Sequence, residues 1–183
     1  MTWSRYRILN STSPYFCTCT FIKWLPLLDS AMVTNICLQS LRYLQEQSNL
    51  QIFGWVFMND HIHLLLSSAT LAGDLMRFKA HTARRILELL KMGNDTAALK
   101  KLERWRDPAI KGQQYQVWIR GSHPQQIQNR CVLNQKLEYI HANPVRRGYS
   151  QTPEGWCFSS IHDYMGKSGF LTVNQNWGGL WVV

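Results

Sequence analysis

Long apolar runs are missing from this 183-residue sequence, and so is an apolar N-terminal leader. No stretch approaches the roughly 18 consecutive apolar residues that a membrane-spanning helix needs. The first ten residues, MTWSRYRILN, lack the apolar core that a secretory signal peptide carries. We therefore expect a protein with no membrane partner. A chain of this length is expected to bury its own core as one domain, residues 1–183.

The sequence also lacks cysteines at the spacing of a zinc-binding or redox motif. The five cysteines are odd in number and form no Cys-x-x-Cys sequence; they are Cys17, Cys19, Cys37, Cys131 and Cys157. This pattern argues against a disulfide framework, so we expect reduced thiols and a cytoplasmic location. Most of these cysteines are expected to act as small apolar residues.

Acidic residues are scarce in one part of the chain. The whole sequence has 20 Lys and Arg against 11 Asp and Glu, for a formal net charge of +9. Residues 77–147 hold fifteen of the basic and five of the acidic residues, whereas residues 1–76 are balanced. Five aromatic residues are interleaved with that charge: Phe78, Trp105, Tyr115, Trp118 and Tyr139. Positive charge with stacking platforms favours single-stranded nucleic acid as partner, although a solvated basic face has the same composition.

Hydrophobic periodicity predicts an alternation of strands and helices. Strands are expected at 15–21, 50–58, 61–67 and 113–121, the middle two joined by a two-residue Asn59–Asp60 turn. Helices are expected after Ser30, from about Leu71 to Lys91, and from about Ile127 to Ala142, with a loop and a short helix near 93–112. This β-α-β-β-α-β order predicts an α+β fold, a ferredoxin-like antiparallel β-sheet with packed helices.

Two histidines stand at the start of the predicted strand 61–67, HIHLLLS. Alternate side chains of a strand share a face, so His61 and His63 point one way and the aliphatic residues between them the other. Two imidazoles at this spacing can converge on one metal ion. They can equally be two satisfied structural histidines, because a His-x-His spacing also arises by chance.

The segment NQKLEYIHANPVRRG, residues 134–148, has the residues that could complete such a site. Leu137 and Ile140 belong to the buried stripe of the predicted helix, and Tyr139 and Asn143 lie together beside it, one turn apart. Asn143 could add an oxygen ligand to the two imidazoles, leaving an open site for Mg²⁺ or Mn²⁺. The alternative is a packed tyrosine and an Asn-Pro helix stop, in which Asn143 only ends the helix before Pro144.

Taken together, FMNDHIHLLLSS and LEYIHANPVRRGYSQTPEGWCFSSIHDY resemble the REP-associated tyrosine transposases. These proteins belong to the single-tyrosine His-hydrophobic-His (HUH) transposase superfamily. The resemblance runs from YFCTCTF to FSSIHDY and includes FKAHTARRI. By motif position it implies metal-binding roles for His61, His63 and Asn143 and a nucleophilic role for Tyr139. It places a catalytic core at about 15–148 and a short tail at 149–183.

The resemblance implies a metal-dependent endonuclease and strand transferase that acts on single-stranded DNA, often at hairpins of repetitive extragenic palindromes. The implied cofactor is Mg²⁺ or Mn²⁺, the implied partner is single-stranded or REP-like hairpin DNA, and the protein would act as a monomer or homodimer. Attack by a tyrosine on phosphate leaves a 5′-phosphotyrosine, whose energy allows rejoining without a nucleotide cofactor. No Gly-rich phosphate-cradling motif is present, which agrees with that chemistry.

The sequence departs from the family pattern at two places. Asn59 stands where the family often has proline, which concerns the rigidity of the turn and not the ligands. Arg147 replaces a residue that is commonly small.

Basic and aromatic residues elsewhere are candidates for contacts with DNA. They are Lys79, Arg84, Arg85, Trp118, Arg120, Arg146 and Arg147. Arg146 and Arg147 are the stronger candidates because they border the proposed site, while Lys79, Arg84 and Arg85 can equally be solvated and a strand tryptophan is commonly core. His81, His123, His141 and His162 lack partners at ligand spacing and are expected to be structural.

Two other functions are compatible with the sequence. A small metal-dependent hydrolase could use His61 and His63 with a carboxylate, but Asp60 and Glu138 are not expected on the required faces. A catalytically silent DNA-binding protein, derived from a transposase, would need the basic face and not the tyrosine.

Overall fold

The computed structural model describes residue 8 and residues 13–109 and 112–177. Within these residues four strands form one antiparallel sheet: β1 (Tyr15–Thr20), β2 (Gln51–Phe57), β3 (His61–Ser67) and β4 (Gln125–Gln126). Their order across the sheet is β2-β3-β1-β4. β1 and β3 are therefore the central strands, each paired on both sides.

Helices cover both faces of this sheet. They are α1 (Ala31–Ser48), α2 (Leu71–Met92), α3 (Thr96–Arg104), α4 (Arg130–Arg146) and the short α5 (Ile161–Tyr164). The apolar residues that α1, α2 and α3 bury join Ile62, Leu64 and Leu66 of β3 in the larger apolar cluster. α4 lies against the other face, where Leu133 and Ile140 pack with Leu65. The predicted α+β fold, an antiparallel sheet with packed helices, is confirmed. No helix among the described residues is long and apolar enough to span a membrane.

The β2–β3 hairpin has the predicted two-residue turn and, in addition, a bulge. The amide of Met58 donates to the carbonyl of His61 at 2.9 Å and closes the turn around Asn59 and Asp60. The register between the strands shifts at Phe53, which has no partner on β3. A bulge places two consecutive residues on one face, so Phe53 and Gly54 both face α4.

The strand predicted at 113–121 is wrong as a regular element. Residues 117–122 do run beside β1, with an isolated bridge between Phe21 and Trp118 and a hydrogen bond from the Ile119 amide to the Thr20 carbonyl. Gly121 and His123 then adopt positive φ values of 74° and 41°, which lie outside regular strand geometry. Pairing with β1 ends at Ser122, whose carbonyl accepts from the Thr18 amide, and it resumes at the two residues of β4.

The helix predicted at 127–142 begins and ends later, at Arg130 and Arg146. Its N-cap is Asn129, whose side chain accepts a hydrogen bond from the Val132 amide at 3.0 Å. Pro144 lies inside the helix, so Asn143 does not end it and the Asn-Pro stop considered above is wrong. A proline near a helix end leaves one carbonyl of the preceding turn without its amide donor, which is tolerated more easily there than mid-helix.

The segment after Gly148 covers the outer edge of β2. The amide of Phe57 donates to the carbonyl of Phe158, and the amides of Ser160 and Asn174 donate to carbonyls of β2, all at 2.8 to 2.9 Å. An unpaired edge strand is a template for aggregation. The C-terminal segment thus closes the edge of the sheet that lies beside α4.

Candidate active site

His61 and His63 lie side by side on the face of the sheet that α4 covers. Their Nε2 atoms are 3.1 Å apart, and the side chains are only 3 % and 5 % exposed. Both residues pair with threonines of β1, because Thr20 stands opposite His61 and Thr18 opposite His63. The face that strand periodicity predicted for the two histidines is the one observed.

The outer nitrogen of each imidazole is held by a neighbour. The Asp60 carboxylate contacts Nδ1 of His61 at short range, and the Thr18 hydroxyl lies 2.9 Å from Nδ1 of His63. A carboxylate only accepts, so Nδ1 of His61 carries the proton and its Nε2 presents a lone pair. The Thr18 hydroxyl can donate or accept, and so it permits either tautomer of His63.

Burial favours the uncharged form of both imidazoles. It lowers the pKa of His61 below its usual value, an effect that the hydrogen bond donated to Asp60 opposes. The pKa of His63 is lowered to about 3, first by burial and then by the neighbouring His61, Arg147 and Lys136, whose positive forms oppose a second positive charge. Neutral imidazoles are the form that binds metal ions.

α4 brings Tyr139 to this pair. The centroid of its ring lies 5.3 Å from that of His63 and 5.8 Å from that of Phe16, in edge-to-face geometry with both. Asn143, one turn later on the same helix, is 4 % exposed. The structure therefore gathers His61, His63 and Tyr139, and it places Asn143 on the helix that brings Tyr139 there.

A close approach between α4 and β2 makes this position possible. A Cβ atom at Gly54 would lie 2.6 Å from Cδ1 of Leu137 and 3.5 Å from Cδ1 of Ile140. Because the bulge turns Gly54 toward α4, a residue without a side chain lies where the helix is nearest. The sequence analysis did not identify Gly54, although an isolated glycine in a strand pattern is the usual sign of a close backbone approach.

Three cations border the two histidines and Tyr139. The guanidinium of Arg146 lies 5.3 Å from the centroid of the Tyr139 ring, and Nζ of Lys136 lies 4.9 Å from that of Phe16. Arg147 is near enough to lower the pKa of both histidines. Arg146 and Arg147 were expected beside the site, and Lys136 was missed. Its sequence signal is its position three residues before Tyr139, which puts both on one side of a helix.

Three further basic candidates lie on α2, on the opposite side of the sheet. Lys79 donates from Nζ to the carbonyl oxygen of Ile119 at 2.8 Å and also to that of Gly121. Arg84 and Arg85 are exposed and each faces Glu88, at 3.9 and 2.8 Å. These three residues do not join the histidine pair, and their contacts with DNA stay a prediction.

Trp118 and Arg120 lie on the irregular segment beside β1. Trp118 is 6 % exposed; its ring stacks on Phe21 with centroids 3.9 Å apart, and its Nε1 donates to the Thr82 hydroxyl. It has the environment of a core residue, and Arg120 follows it toward solvent. A role in DNA binding is untested for both.

The described residues contain no group of three His, Cys, Asp or Glu side chains that could hold a metal ion. Asp60 faces the outer nitrogen of His61 and not the space between the two Nε2 atoms, and Glu138 is exposed on α4. Any third protein ligand would therefore be of another type, such as the amide of Asn143.

The histidines expected to be structural have polar neighbours of their own. Nδ1 of His81 lies 3.3 Å from the Ser40 hydroxyl, and Nε2 of His162 lies 3.3 Å from the carbonyl oxygen of Trp156. His141 is buried and its Nε2 lies 2.9 Å from the Ser160 hydroxyl.

Comparison with known proteins identifies the fold. No protein-family model matches this sequence, and no curated protein sequence matches it. A protein from Deinococcus radiodurans R1 assigned as a transposase aligns with a TM-score of 0.43 and 20 % identity, over 77 % of this chain and 98 % of that one. A REP-associated tyrosine transposase bound to a REP hairpin aligns with a TM-score of 0.67 and 15 % identity, over 94 % of this chain and 92 % of that one. The chain has the fold of that transposase, as the resemblance of its motifs predicted.

Proposed function

We propose that this protein is a metal-dependent endonuclease and strand transferase of single-stranded DNA, with Tyr139 as nucleophile. The observation that carries the proposal is the pair of buried, neutral imidazoles whose Nε2 atoms face each other at 3.1 Å beside the Tyr139 ring. Neither the sheet nor the core needs polar rings there. The shared fold adds a precedent, since the similar transposase is bound to a REP hairpin.

The residues present fit a divalent ion. Two cis nitrogen ligands, each about 2.1 Å from one ion, stand roughly 3 Å apart, which agrees with the observed 3.1 Å. His61 and His63 would hold Mg²⁺ or Mn²⁺ together with the amide oxygen of Asn143. When bound, the ion would polarise a phosphate for attack.

Tyr139 would supply the nucleophile. A bond forms between its phenolic oxygen and phosphorus, and the bond from phosphorus to the 3′ oxygen breaks, so that a 5′-phosphotyrosine and a 3′-hydroxyl result. The phenolic proton is released and the 3′ oxygen gains one. Arg146, whose guanidinium lies 5.3 Å from the Tyr139 ring, would attract the phosphate to the nucleophile. The reverse attack by a 3′-hydroxyl would rejoin strands.

The expected substrate is single-stranded or REP-like hairpin DNA. Lys136, Arg146 and Arg147 would contact phosphates beside the histidine pair, and the surplus of positive charge in residues 77–147 would hold the rest of the strand. The protein would act as a monomer or homodimer built of one domain, with residues 149–183 as part of it. Its cysteines are all free in the described residues, which fits a reducing cytoplasm.

A second candidate function follows from the hydrogen bonds of the histidines. If Thr18 donates to Nδ1 of His63, then Nε2–H of His63 can donate to His61, whose Nδ1–H donates to Asp60. That chain satisfies every ring nitrogen without an ion. It favours a catalytically silent DNA-binding protein derived from a transposase.

Incubation with labelled hairpin DNA and Mn²⁺, followed by denaturing electrophoresis, separates the two candidates. The proposed enzyme gives a shortened strand and a protein–DNA adduct that survives denaturation, and both vanish in EDTA. Retarded migration under native conditions without cleavage or adduct would instead favour the silent DNA-binding protein. Cleavage at full rate in EDTA would contradict the metal site.

A further inference from the structure

An exposed tryptophan stands directly beside His61. The ring centroids of Trp24 and His61 are 5.7 Å apart and the rings are nearly perpendicular, at 80°. The side chain of Trp24 is 54 % exposed, although tryptophan is among the residues with most to gain from burial. A large aromatic surface is thus presented to solvent at the rim of the histidine pair.

The backbone that presents this ring is strained. Lys23 and Trp24 both have left-handed conformations, with φ values of 50° and 55°. Residues with a Cβ atom avoid this region, and two in succession are rare because each raises the free energy of the folded chain. Strain of this kind persists where the surrounding structure fixes it, and it is concentrated at functional sites.

The same loop is fixed to the turn that precedes His61. The amide of Phe21 donates to the carbonyl of Asp60 at 3.0 Å, and the amide of Leu28 donates to that of Asn59 at 2.9 Å. Within the loop, the Trp24 and Leu25 amides bond back to Phe21 and Ile22. The backbone at Trp24 is therefore held in place relative to the turn that precedes His61.

We propose that Trp24 is a stacking platform for a DNA base next to the phosphate that His61 and His63 would address. Bases stack on aromatic rings whatever their sequence, and the exposed Lys23 beside the ring is placed to contact the adjoining phosphate. The stacked base would hold the strand in register so that one phosphate lies against Tyr139. This inference rests on the proposed function and adds a positioning residue to it.

Two variants of Trp24 separate stacking from folding. Trp24→Asn removes the ring, and asparagine accepts the left-handed conformation better than tryptophan. We expect its affinity for a fluorescein-labelled single-stranded oligonucleotide, measured by anisotropy at constant salt, to fall by about ten-fold. Its Tm should stay the same or rise. Trp24→Phe keeps an aromatic face and should stay within about three-fold of the native affinity.

The matched control is Tyr43→Ala, which removes an equally exposed aromatic ring from α1, on the other side of the sheet. It should change neither affinity nor specificity.

Stacking itself is measured with 2-aminopurine placed at successive positions of the oligonucleotide. Its fluorescence should be quenched at one position by the native protein and restored in Trp24→Asn.

The outcomes distinguish this inference from the proposed function. Native-like affinity and quenching in Trp24→Asn, with cleavage by the native protein intact, would overturn the role of Trp24 alone. A parallel loss of affinity in Trp24→Asn and Trp24→Phe would also overturn it, because ring stacking predicts a difference between them. Failure of the native protein to bind single-stranded DNA would overturn the proposed function and this inference together.

Discussion

Tyr139 is half-buried on α4, with its ring between Phe16, His63 and the guanidinium of Arg146. Tyr139→Phe removes one oxygen and almost none of the packing volume, so we expect fold and metal affinity to survive. The covalent protein–DNA adduct should disappear, since a ring without a hydroxyl cannot attack phosphorus. Denaturing electrophoresis after incubation with labelled hairpin DNA and Mn²⁺ measures the amount of this adduct.

Other tyrosines provide controls for that variant. Tyr43→Phe changes an exposed ring on α1, and Tyr149→Phe removes a hydroxyl that donates to the Asn59 side chain in the turn before His61. Both variants should keep the adduct. An adduct that persists in Tyr139→Phe would show that another residue is the nucleophile.

Thr18 acts on the proposed ion through His63. Thr18→Val keeps the shape of the side chain and removes the hydroxyl that lies 2.9 Å from Nδ1 of His63. Partners of this kind orient a ligand ring and fix its tautomer, and their loss weakens metal binding by about ten-fold or more. Calorimetric titration with Mn²⁺ should reveal that loss.

Thr34→Val is the matched control, because the Thr34 hydroxyl also makes a hydrogen bond inside the fold, to the carbonyl of Leu28. It should cost stability and leave Mn²⁺ affinity unchanged. Equal Mn²⁺ affinities for Thr18→Val and the native protein would contradict a metal site at His63.

At the scale of elements, the distance between α4 and β2 depends on Gly54. Gly54→Ala would place a methyl group 2.6 Å from Cδ1 of Leu137, so the leucine or the helix must shift. We expect a loss of stability of about 1–3 kcal/mol, as for other overpacked cores. A shift of Tyr139 with the helix would slow cleavage by as much as about a hundred-fold.

Urea unfolding and single-turnover cleavage measure these two effects separately. Gly73→Ala is the control, because nothing lies within 4 Å of its new Cβ atom in α2, and alanine favours a helix interior. It should be neutral or stabilising and should keep the native cleavage rate. A native rate in Gly54→Ala would mean that the leucine alone accommodates the methyl group.

Local patterns predicted some elements well because their signals are complete within the element. Apolar residues at helical spacing gave α2 almost to the residue, from Leu71, and strand alternation gave the shared face of His61 and His63. The strand predicted at 113–121 failed because only its second half lies beside β1, and the left-handed residues Gly121 and His123 then end that pairing. β propensity describes neither the missing partner of the first half nor these two backbone conformations.

Contacts of the candidate site could be predicted where the residues are near in sequence. Contacts between residues that meet only in the folded chain could not be predicted. The pairing of Thr18 with His63 depends on the register of β1 against β3. The contact of Trp24 with His61 depends on the loop between β1 and α1. Neither leaves a periodic signal, so only the folded chain identifies them.

At the scale of the whole molecule, a buried hydrogen-bonded chain joins β2, α4 and the C-terminal segment. The Trp55 amide donates to the Ser160 hydroxyl at 2.9 Å. That hydroxyl in turn can donate to Nε2 of His141, also at 2.9 Å. Burial lowers the pKa of His141 to about 4, because a charged imidazolium would lose its solvation there.

The lowered pKa of His141 predicts acid sensitivity. The contribution of the His141 side chain to the free energy of unfolding is complete above the ordinary histidine pKa of about 6.5. It declines as the pH falls toward about 4, because the unfolded chain then binds the proton more tightly than the folded chain does. The decline amounts to about 3 kcal/mol at most. His141→Gln keeps an acceptor that does not titrate, so the difference in urea midpoints between about pH 7.5 and pH 5 should shrink.

His81→Gln, a change at an exposed histidine of α2, serves as the control. It should leave the acid sensitivity of the native protein unaltered. An unaltered sensitivity in His141→Gln would instead assign the effect to other groups, such as His61 and His63, whose pKa values are also lowered.

Positive charge is distributed over both sides of the sheet, and only one side has the candidate active site. Each phosphate contact lowers the slope of log affinity against log salt by about 0.7 for a single strand, because bound counterions are released. If the strand follows α4, Arg147→Gln should make this slope shallower by about 0.7. Lys100→Gln, on α3 across the sheet, should leave it unchanged. Equal slopes for the two variants would mean that general attraction by the net charge of +9, and not a path of the strand along α4, accounts for binding.

The affinity for single-stranded hairpins should also exceed the affinity for a blunt duplex at the same salt concentration. Equal affinities for the two DNAs would likewise indicate general attraction by the net charge.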